Sequence, residues 1–381
     1  MKEFAILARG LYRPDQLAIT YDPSLRMPTT PAIQQWMDTL WQQKLAIAQE
    51  KNIPLYDSKL FRLVHAETRH AGQQGNTTPV GAGEELSGEG FLGADHHIRR
   101  GGGGVDVGRG RLRRPGRRGK VLTPPGRGRR KRPLPLHPPP PPLRVRSRFR
   151  GDIIKYLPLR AWSGKGNEPP RLHLIFGDTS YKEYVTTREP EFARGRDRQQ
   201  LSNALAVCSV VETTDGHILL DKRQGVDVYA GRYHVIGGFF ERDLDTSTTT
   251  ATSATSATSA TSATNPDPFA AIRREIREET GIQAADIAQQ HCLGVVYDLA
   301  TPHAELCFLT RLNIPLNEVS QRVPEEDEIK QLLSLYVTEE SLRDFILTNH
   351  GNISATGEPN LLMYGAVKFG EKWFENLMRR L

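Results

Sequence analysis

Cysteine is scarce and long apolar runs are missing. The 381-residue chain has three cysteines, Cys208, Cys292 and Cys307. An odd number with no CxxC spacing argues against a disulfide framework and a structural zinc site, and points to a reducing, cytoplasmic setting. No run of eighteen apolar residues occurs, so no membrane-spanning helix is expected. The first residues, MKEFAILARGLYRPDQ, carry only a short apolar patch before charges set in, which does not read as a secretory signal. A general excess of positive charge is also lacking, although the formal net charge is +7. Between Arg99 and Arg150 stand 16 Arg and 2 Lys against the single acid Asp106. That segment carries +17, and the remainder of the chain −10. A uniformly basic nucleic-acid-binding fold is therefore disfavoured, because the basic footprint is confined to one stretch.

Four zones differ in character. In residues 1 to about 70, Pro31–Lys51 places Ile33, Trp36, Met37, Leu40 and Trp41 on one helical face, with Thr29 or Thr30 as cap and Pro31 at the first position. Leu60–Ala66 is a strand candidate. From about Gly72 to Arg150 the chain is dominated by Gly, Pro and Arg, with Phe149 the only aromatic between Arg99 and Arg150. Such a segment buries too little apolar surface to offset its ordering entropy. It reads as an Arg/Gly arm for RNA or another polyanion, as a solvated insertion, or as a GC-rich stretch translated in the wrong frame.

Order returns from about Gly151. Arg171–Phe176, Ala204–Glu212 and His217–Arg223 are strand-like, the last two joined by a turn containing Asp215-Gly216. Tyr233–Ile236 leads into Gly237-Gly238. A Thr-Ser-Ala tandem repeat fills 246–264 and is expected to be a surface loop. Beyond it, Pro268–Thr280 is a predicted helix capped by Gly281. Cys292–Tyr297, Glu305–Leu312 and Ile329–Val337 are predicted strands, and two closing helices are expected near Glu339–Leu347 and Tyr364–Arg380.

The run Arg274-Glu275-Ile276-Arg277-Glu278-Glu279-Thr280-Gly281-Ile282 carries the chemical signal. On a helix Glu275, Glu278 and Glu279 stand at i, i+3 and i+4, so the three carboxylates share one face and repel. Oxygen ligands pointing one way suit a hard divalent cation, Mg²⁺ or Mn²⁺. Arg274 is available to pair with one of them. The plain alternative is a solvated acidic face with arginine neighbours.

The nine-residue run resembles the second half of the Nudix box, R-E-aliphatic-x-E-E-x-G-aliphatic, and Gly237-Gly238 resembles its opening glycine. The resemblance covers about 201–381. It implies an α/β fold, an α/β/α sandwich around a mixed sheet, and Mg²⁺-dependent hydrolysis of a nucleoside diphosphate derivative. Two departures stand out. Thirty-five residues separate Gly238 from Arg274 where the usual box has thirteen, an excess close to the length of the Thr-Ser-Ala tract. Leu244 occupies the place of the expected glutamate, for which Glu241 or Asp243 are the stand-ins, Glu241 preferred.

Upstream, Tyr56-Asp57-Ser58-Lys59-Leu60-Phe61-Arg62 and Gly177-Asp178-Thr179-Ser180-Tyr181 are similar to the N-terminal domain of the UDP-glucose pyrophosphatase branch. This implies a small N-terminal α/β domain from 1–71 and 151–200, a Gly/Arg/Pro-rich insertion at 72–150, and a hydrolase domain at 201–381. UDP-glucose or UDP-galactose would be cleaved to UMP and sugar 1-phosphate. Arg274, Glu275, Glu278, Glu279 and Glu305 are the candidate catalytic residues, the three box glutamates holding metal. Gly237, Gly238, Phe61, Thr179, Tyr181 and Arg223 are candidates for substrate binding, although Tyr181 also suits a core position. His234 reads as a packed strand histidine, and the acidic run from Glu325 to Glu328 as a solvated loop or the carrier of a general base. Alternative readings are hydrolysis of ADP-ribose, an RNA-associated protein using the basic segment, and a non-catalytic module.

Overall fold

The structure, a computed structural model, describes residues 3–70, 169–224, 228–248, 264–325 and 331–381. The Gly/Arg/Pro-rich zone, most of the Thr-Ser-Ala tract and the acidic run beyond Glu325 lie outside the described residues, and so do the expectations placed on them.

The chain opens with strands β1 (Phe4–Tyr12) and β2 (Leu17–Tyr21), helix α1 (Pro31–Glu50) and strand β3 (Lys59–Arg69). Strand β4 (Arg171–Ser180) and short helices α2 (Tyr181–Thr187) and α3 (Pro190–Ala193) follow. Next come β5 (Leu205–Glu212), β6 (His217–Lys222), β7 (Tyr233–His234) and β8 (Ile236–Phe239). A two-stranded ladder, β9 (Thr246–Thr248) and β10 (Thr264–Pro266), precedes helix α4 (Pro268–Thr280). Long strands β11 (Ile287–Asp298) and β12 (His303–Leu312), helix α5 (Leu316–Val319), strand β13 (Leu332–Tyr336) and helices α6 (Glu339–Asn349), α7 (Gly357–Phe369) and α8 (Glu371–Met378) complete the fold.

The main sheet runs β1-β11-β12-β5-β6-β13, with β7 on β6 and β8 on β5. It is mixed: β12 and β5 are parallel, and β11–β12, β5–β8 and β13–β6 are antiparallel. Alternation along β5 sends Leu205, Val207 and Val211 to one face and Cys208 and Val210 to the other. On the first face α4 buries Phe269, Ile272 and Ile276. On the second, α7 contributes Leu361, Leu362, Met363 and Tyr364, α8 contributes Trp373 and Phe374, and α6 contributes Leu342 and Ile346. Helices on both faces of one mixed sheet make the expected α/β/α sandwich.

A second, three-stranded sheet is ordered β2-β4-β3. Its Phe61, Leu63, Leu172, Leu174 and Phe176 belong to the same buried cluster as Ile272 and Ile276. Strand β1, from the expected N-terminal domain, is hydrogen-bonded into the main sheet beside β11. Helix α1 begins as its cap predicts, Thr30 Oγ1 accepting from the Ile33 amide at 3.2 Å. The single closing helix expected near Tyr364–Arg380 is two helices starting earlier, at Gly357. They break at Gly370, whose φ of 93° no ordinary helix residue adopts.

Candidate active site

Helix α4 is bounded by strong local signals. The Asp267 carboxylate accepts from the amides of Phe269 and Ala270 at 3.0 and 2.9 Å, and Pro268 fills the first position. Gly281 ends the helix at φ 74°, its amide donating to the Arg277 carbonyl. With Ile272 and Ile276 in the core, Glu275 and Glu279 face β8, and Glu278 lies beside them within reach of Arg274.

The glycine pair of β8 meets that acidic face. The Gly237 amide donates to Glu279 Oε2 at 3.0 Å. A Cβ on Gly238 would lie 2.4 Å from Glu275 Oε2, so the carboxylate occupies the space a side chain would fill. Arg274 threads between the acids. Its Nε and one terminal nitrogen each donate to Asp245 at 2.8 Å, the fork geometry of a bidentate pair. Its other terminal nitrogen reaches Glu278 at 2.8 Å and Glu275 at 2.9 Å, while the nitrogen that meets Asp245 also donates to the Phe239 carbonyl at 3.1 Å. Burial works against the guanidinium charge, but Asp245, Glu275 and Glu278 together outweigh it and hold its pKa above the ordinary value.

The acid that pairs with Arg274 is Asp245, not the expected stand-ins Glu241 or Asp243. Leu244, in the expected place, is 61% exposed, whereas Asp245 is 2% exposed and faces Arg274. The sequence signal was one residue away, in an acid directly after Leu244. Glu241 instead bridges to Leu60 and gives its amide to Asp245 at 2.8 Å. Burial, with the charges of Asp245, Glu278 and Asp243, pushes its carboxyl above the usual range despite Arg274.

Glu305 is not brought to this group. Leu306 and Phe308 of β12 face the α4 cluster and Cys307 and Leu309 the α7 cluster, so alternation puts Glu305 on the α7 side. There it pairs with His303 Nε2 at 3.2 Å, and His303 Nδ1 lies 3.8 Å from Asp298. Tyr229 donates to Asp298 at 2.8 Å. His234 lies buried, 2.6 Å from Ser354 Oγ, and burial drives its pKa down to about 4.

Two of the substrate-binding candidates are buried. Phe61 is 0% exposed, with its ring 4.5 Å from that of Phe240 and edge-on to Tyr21. Thr179 is 2% exposed, donating to Glu183 and sharing a hydrogen bond with Ser202. Phe61 is packed by residues from distant parts of the chain, whereas Thr179 is held by hydrogen bonds to Glu183 and Ser202. Tyr181 is half-buried against Phe239, centroids 5.7 Å apart, and so adjoins the residue that follows Gly238. Arg223 closes the loop after β6 by donating from Nε to the Val228 carbonyl at 3.1 Å.

The small sheet buttresses the same region. Phe61 donates its amide to the Phe240 carbonyl, and Arg242 its amide to the Lys59 carbonyl. The Arg242 side chain reaches Asp178 of β4 at 2.7 Å.

Among the described residues, no group of three or more His, Cys, Asp or Glu side chains is arranged around a point that could hold a metal ion. The box carboxylates are turned to Arg274 and Gly237. The donor chemistry nevertheless fits a hard divalent cation: three carboxylates on one helix face, with Glu275 lying in a cradle kept open by Gly238.

No family model matches the chain, and no curated protein matches it. Solved structures do. One is a MutT protein from Methanosarcina mazei Go1, at 17% identity over 46% of this chain and 92% of that one, with a TM-score of 0.25. Another is a putative nudix hydrolase family member from Chromobacterium violaceum, at 18% identity over 46% and 85%, TM-score 0.26. A third is a bifunctional NMN adenylyltransferase/ADP ribose pyrophosphatase from Francisella tularensis complexed with AMP and a manganese ion, at 16% identity over 43% and 40%, TM-score 0.27. Scores this low mark likeness only, and the fold described above rests on the chain's own topology.

Proposed function

We propose that this chain is a Mg²⁺-dependent hydrolase of the Nudix type that cleaves the diphosphate of a nucleoside diphosphate sugar, UDP-glucose or UDP-galactose, to UMP and sugar 1-phosphate. The observation that carries the reading is the joining of Gly237-Gly238 to Glu275 and Glu279, with Arg274 held between the acids. Glu275, Glu278 and Glu279 would hold Mg²⁺, or Mn²⁺ in its place. The cation would neutralise diphosphate charge and promote ionisation of the attacking water. The chain's own part is preorganisation. The Gly237 amide fixes the orientation of Glu279, and Arg274 offsets the mutual repulsion of Glu275 and Glu278. Tyr181 beside Phe239 supplies an aromatic surface next to the glycine pair, suited to a base or ribose.

Glu279→Gln tests the reading, because the amide oxygen can still accept from Gly237. Hydrolysis of UDP-glucose with Mg²⁺ should be lost while the thermal unfolding midpoint stays near that of the parent. Retained turnover would count against the proposal. Assay against a panel containing ADP-ribose assigns the nucleotide, and faster cleavage of ADP-ribose would replace the UDP-sugar part of the reading. Among the described residues no helix is long and apolar enough to cross a membrane.

A further inference from the structure

The Nudix-like box of this chain is interrupted between Gly238 and Arg274 and lacks its glutamate at 244, yet its two halves meet. We propose that the β9–β10 ladder splices the box across its insertion and makes Asp245 the positioning residue that holds Arg274 for the helix carboxylates. Thr246 pairs with Pro266, Ser247 with Asn265 and Thr248 with Thr264 in antiparallel register. The ladder thus returns the chain to the point it left. The Asp267 amide donates to the Asp245 carbonyl at 3.1 Å, and Asp267 is the residue whose side chain caps α4. Asp245 is also tied backward, its amide donating to the Glu241 carbonyl at 2.9 Å and its Oδ2 accepting from the Glu241 amide at 2.8 Å. The start of the helix and the segment after the glycine pair are therefore joined through one residue.

The charge arrangement explains why that residue is acidic. Arg274 offers its Nε–terminal nitrogen fork to Asp245 and only its remaining nitrogen to Glu275 and Glu278. Without Asp245 the guanidinium would be drawn wholly onto the two glutamates and would compete with any cation for their oxygens. A glutamate at 244 would not substitute, because that side chain faces solvent. The catalytic consequence rests on the proposed metal-dependent hydrolysis. The ion-pair geometry does not.

Two readouts keep these apart. The first is Mn²⁺ binding followed by electron paramagnetic resonance, with steady-state kinetics on UDP-glucose. Asp245→Asn should weaken Mn²⁺ binding and lower kcat roughly 10- to 100-fold, the usual cost of losing an outer-shell partner, with KM little changed. The double change Leu244→Glu with Asp245→Asn should remain as impaired. Replacing residues 249–263 by an Asn-Gly turn between the paired Thr248 and Thr264 should leave Mn²⁺ binding and kcat near the parent values. Unimpaired Asp245→Asn, rescue by Leu244→Glu, or loss of binding on excision would each overturn the proposal. The second readout needs neither metal nor turnover. In the unmodified protein the Arg274 Nε–H, observed by ¹⁵N NMR and assigned with Arg274→Lys, should exchange slowly with solvent. Fast exchange would overturn the proposal even if Asp245→Asn did not fold. If the parent binds no Mn²⁺ and cleaves no nucleotide sugar, the hydrolase reading falls, and slow or fast exchange still decides the positioning of Arg274.

Discussion

Gly238 shows how much one missing side chain can set. Its absent Cβ leaves the room that Glu275 fills, and the contact distance of 2.4 Å means that Gly238→Ala must displace the carboxylate. The displaced atoms are the far end of a flexible side chain, so the fold should survive. The expected result is Mg²⁺ binding weakened by about tenfold or more, comparable to outer-shell changes in metal sites, with an unaltered circular dichroism spectrum. Titration calorimetry with Mg²⁺ measures it. His303 and Glu305 make a different residue-scale case. Burial alone would lower His303 and raise Glu305. Tyr184, Glu305 and Asp298 outweigh this and hold His303 protonated, while the hydrogen bond from His303 and its charge hold Glu305 down. With His303 raised, its contribution is complete below the ordinary value of 6.5 and fades as pH rises through the folded value. With Glu305 lowered, its contribution is complete above the ordinary value of 4.5 and fades as pH falls through the folded value. Stability from this pair should peak between those two ordinary values. His303→Gln, which strands a buried carboxylate, should cost about 3 kcal/mol there and flatten the pH profile of urea unfolding.

At the scale of elements, the helix bearing the acids is the most self-sufficient piece. Its cap, its proline, its apolar period and its terminal glycine all act within fifteen residues, from Asp267 to Gly281, so its bounds were readable from the chain alone. Gly281 is required twice: its φ of 74° disfavours any Cβ, and a Cβ there would lie 2.3 Å from the Val323 carbonyl oxygen. Gly281→Ala should therefore destabilise the fold by about 1–3 kcal/mol, and chemical denaturation would reveal a smaller change if the loop at Val323 simply moved. Elements whose order comes from elsewhere were not readable. Phe4–Tyr12 has apolar residues on both parities and no strand period, and it is a strand because β11 pairs with it. Phe61 sits in a suggestive motif, but its burial is decided by Tyr21, Phe176 and Phe240, far apart in sequence. Asp245 escaped because it stands seven residues after Gly238, one beyond the spacing at which such an acid is sought.

Across the whole molecule, the two sheets share one apolar interior. Phe61 and Phe176 of the small sheet and Val207, Ile236 and Ile272 around the main sheet belong to a single buried cluster, into which Phe240 packs directly after the glycine pair. Strand β1 closes one end of the main sheet, with Ile6 and Ala8 buried on opposite faces. The segment 201–381 contains the proposed catalytic residues, yet on its own it would expose Phe240 and the β11 edge to water. An uncovered strand edge beside an apolar face favours association with other chains. Expressed alone, residues 201–381 should form aggregates on size exclusion and give no sharp unfolding transition. Co-expression with a segment carrying residues 1–70 and 169–200 should restore a cooperative transition. A monomeric, cooperatively folding 201–381 fragment would mean that the small sheet serves the site without being needed for the fold, and Asp178→Ala, which cuts the tie from β4 to Arg242, would then lower activity while leaving stability unchanged.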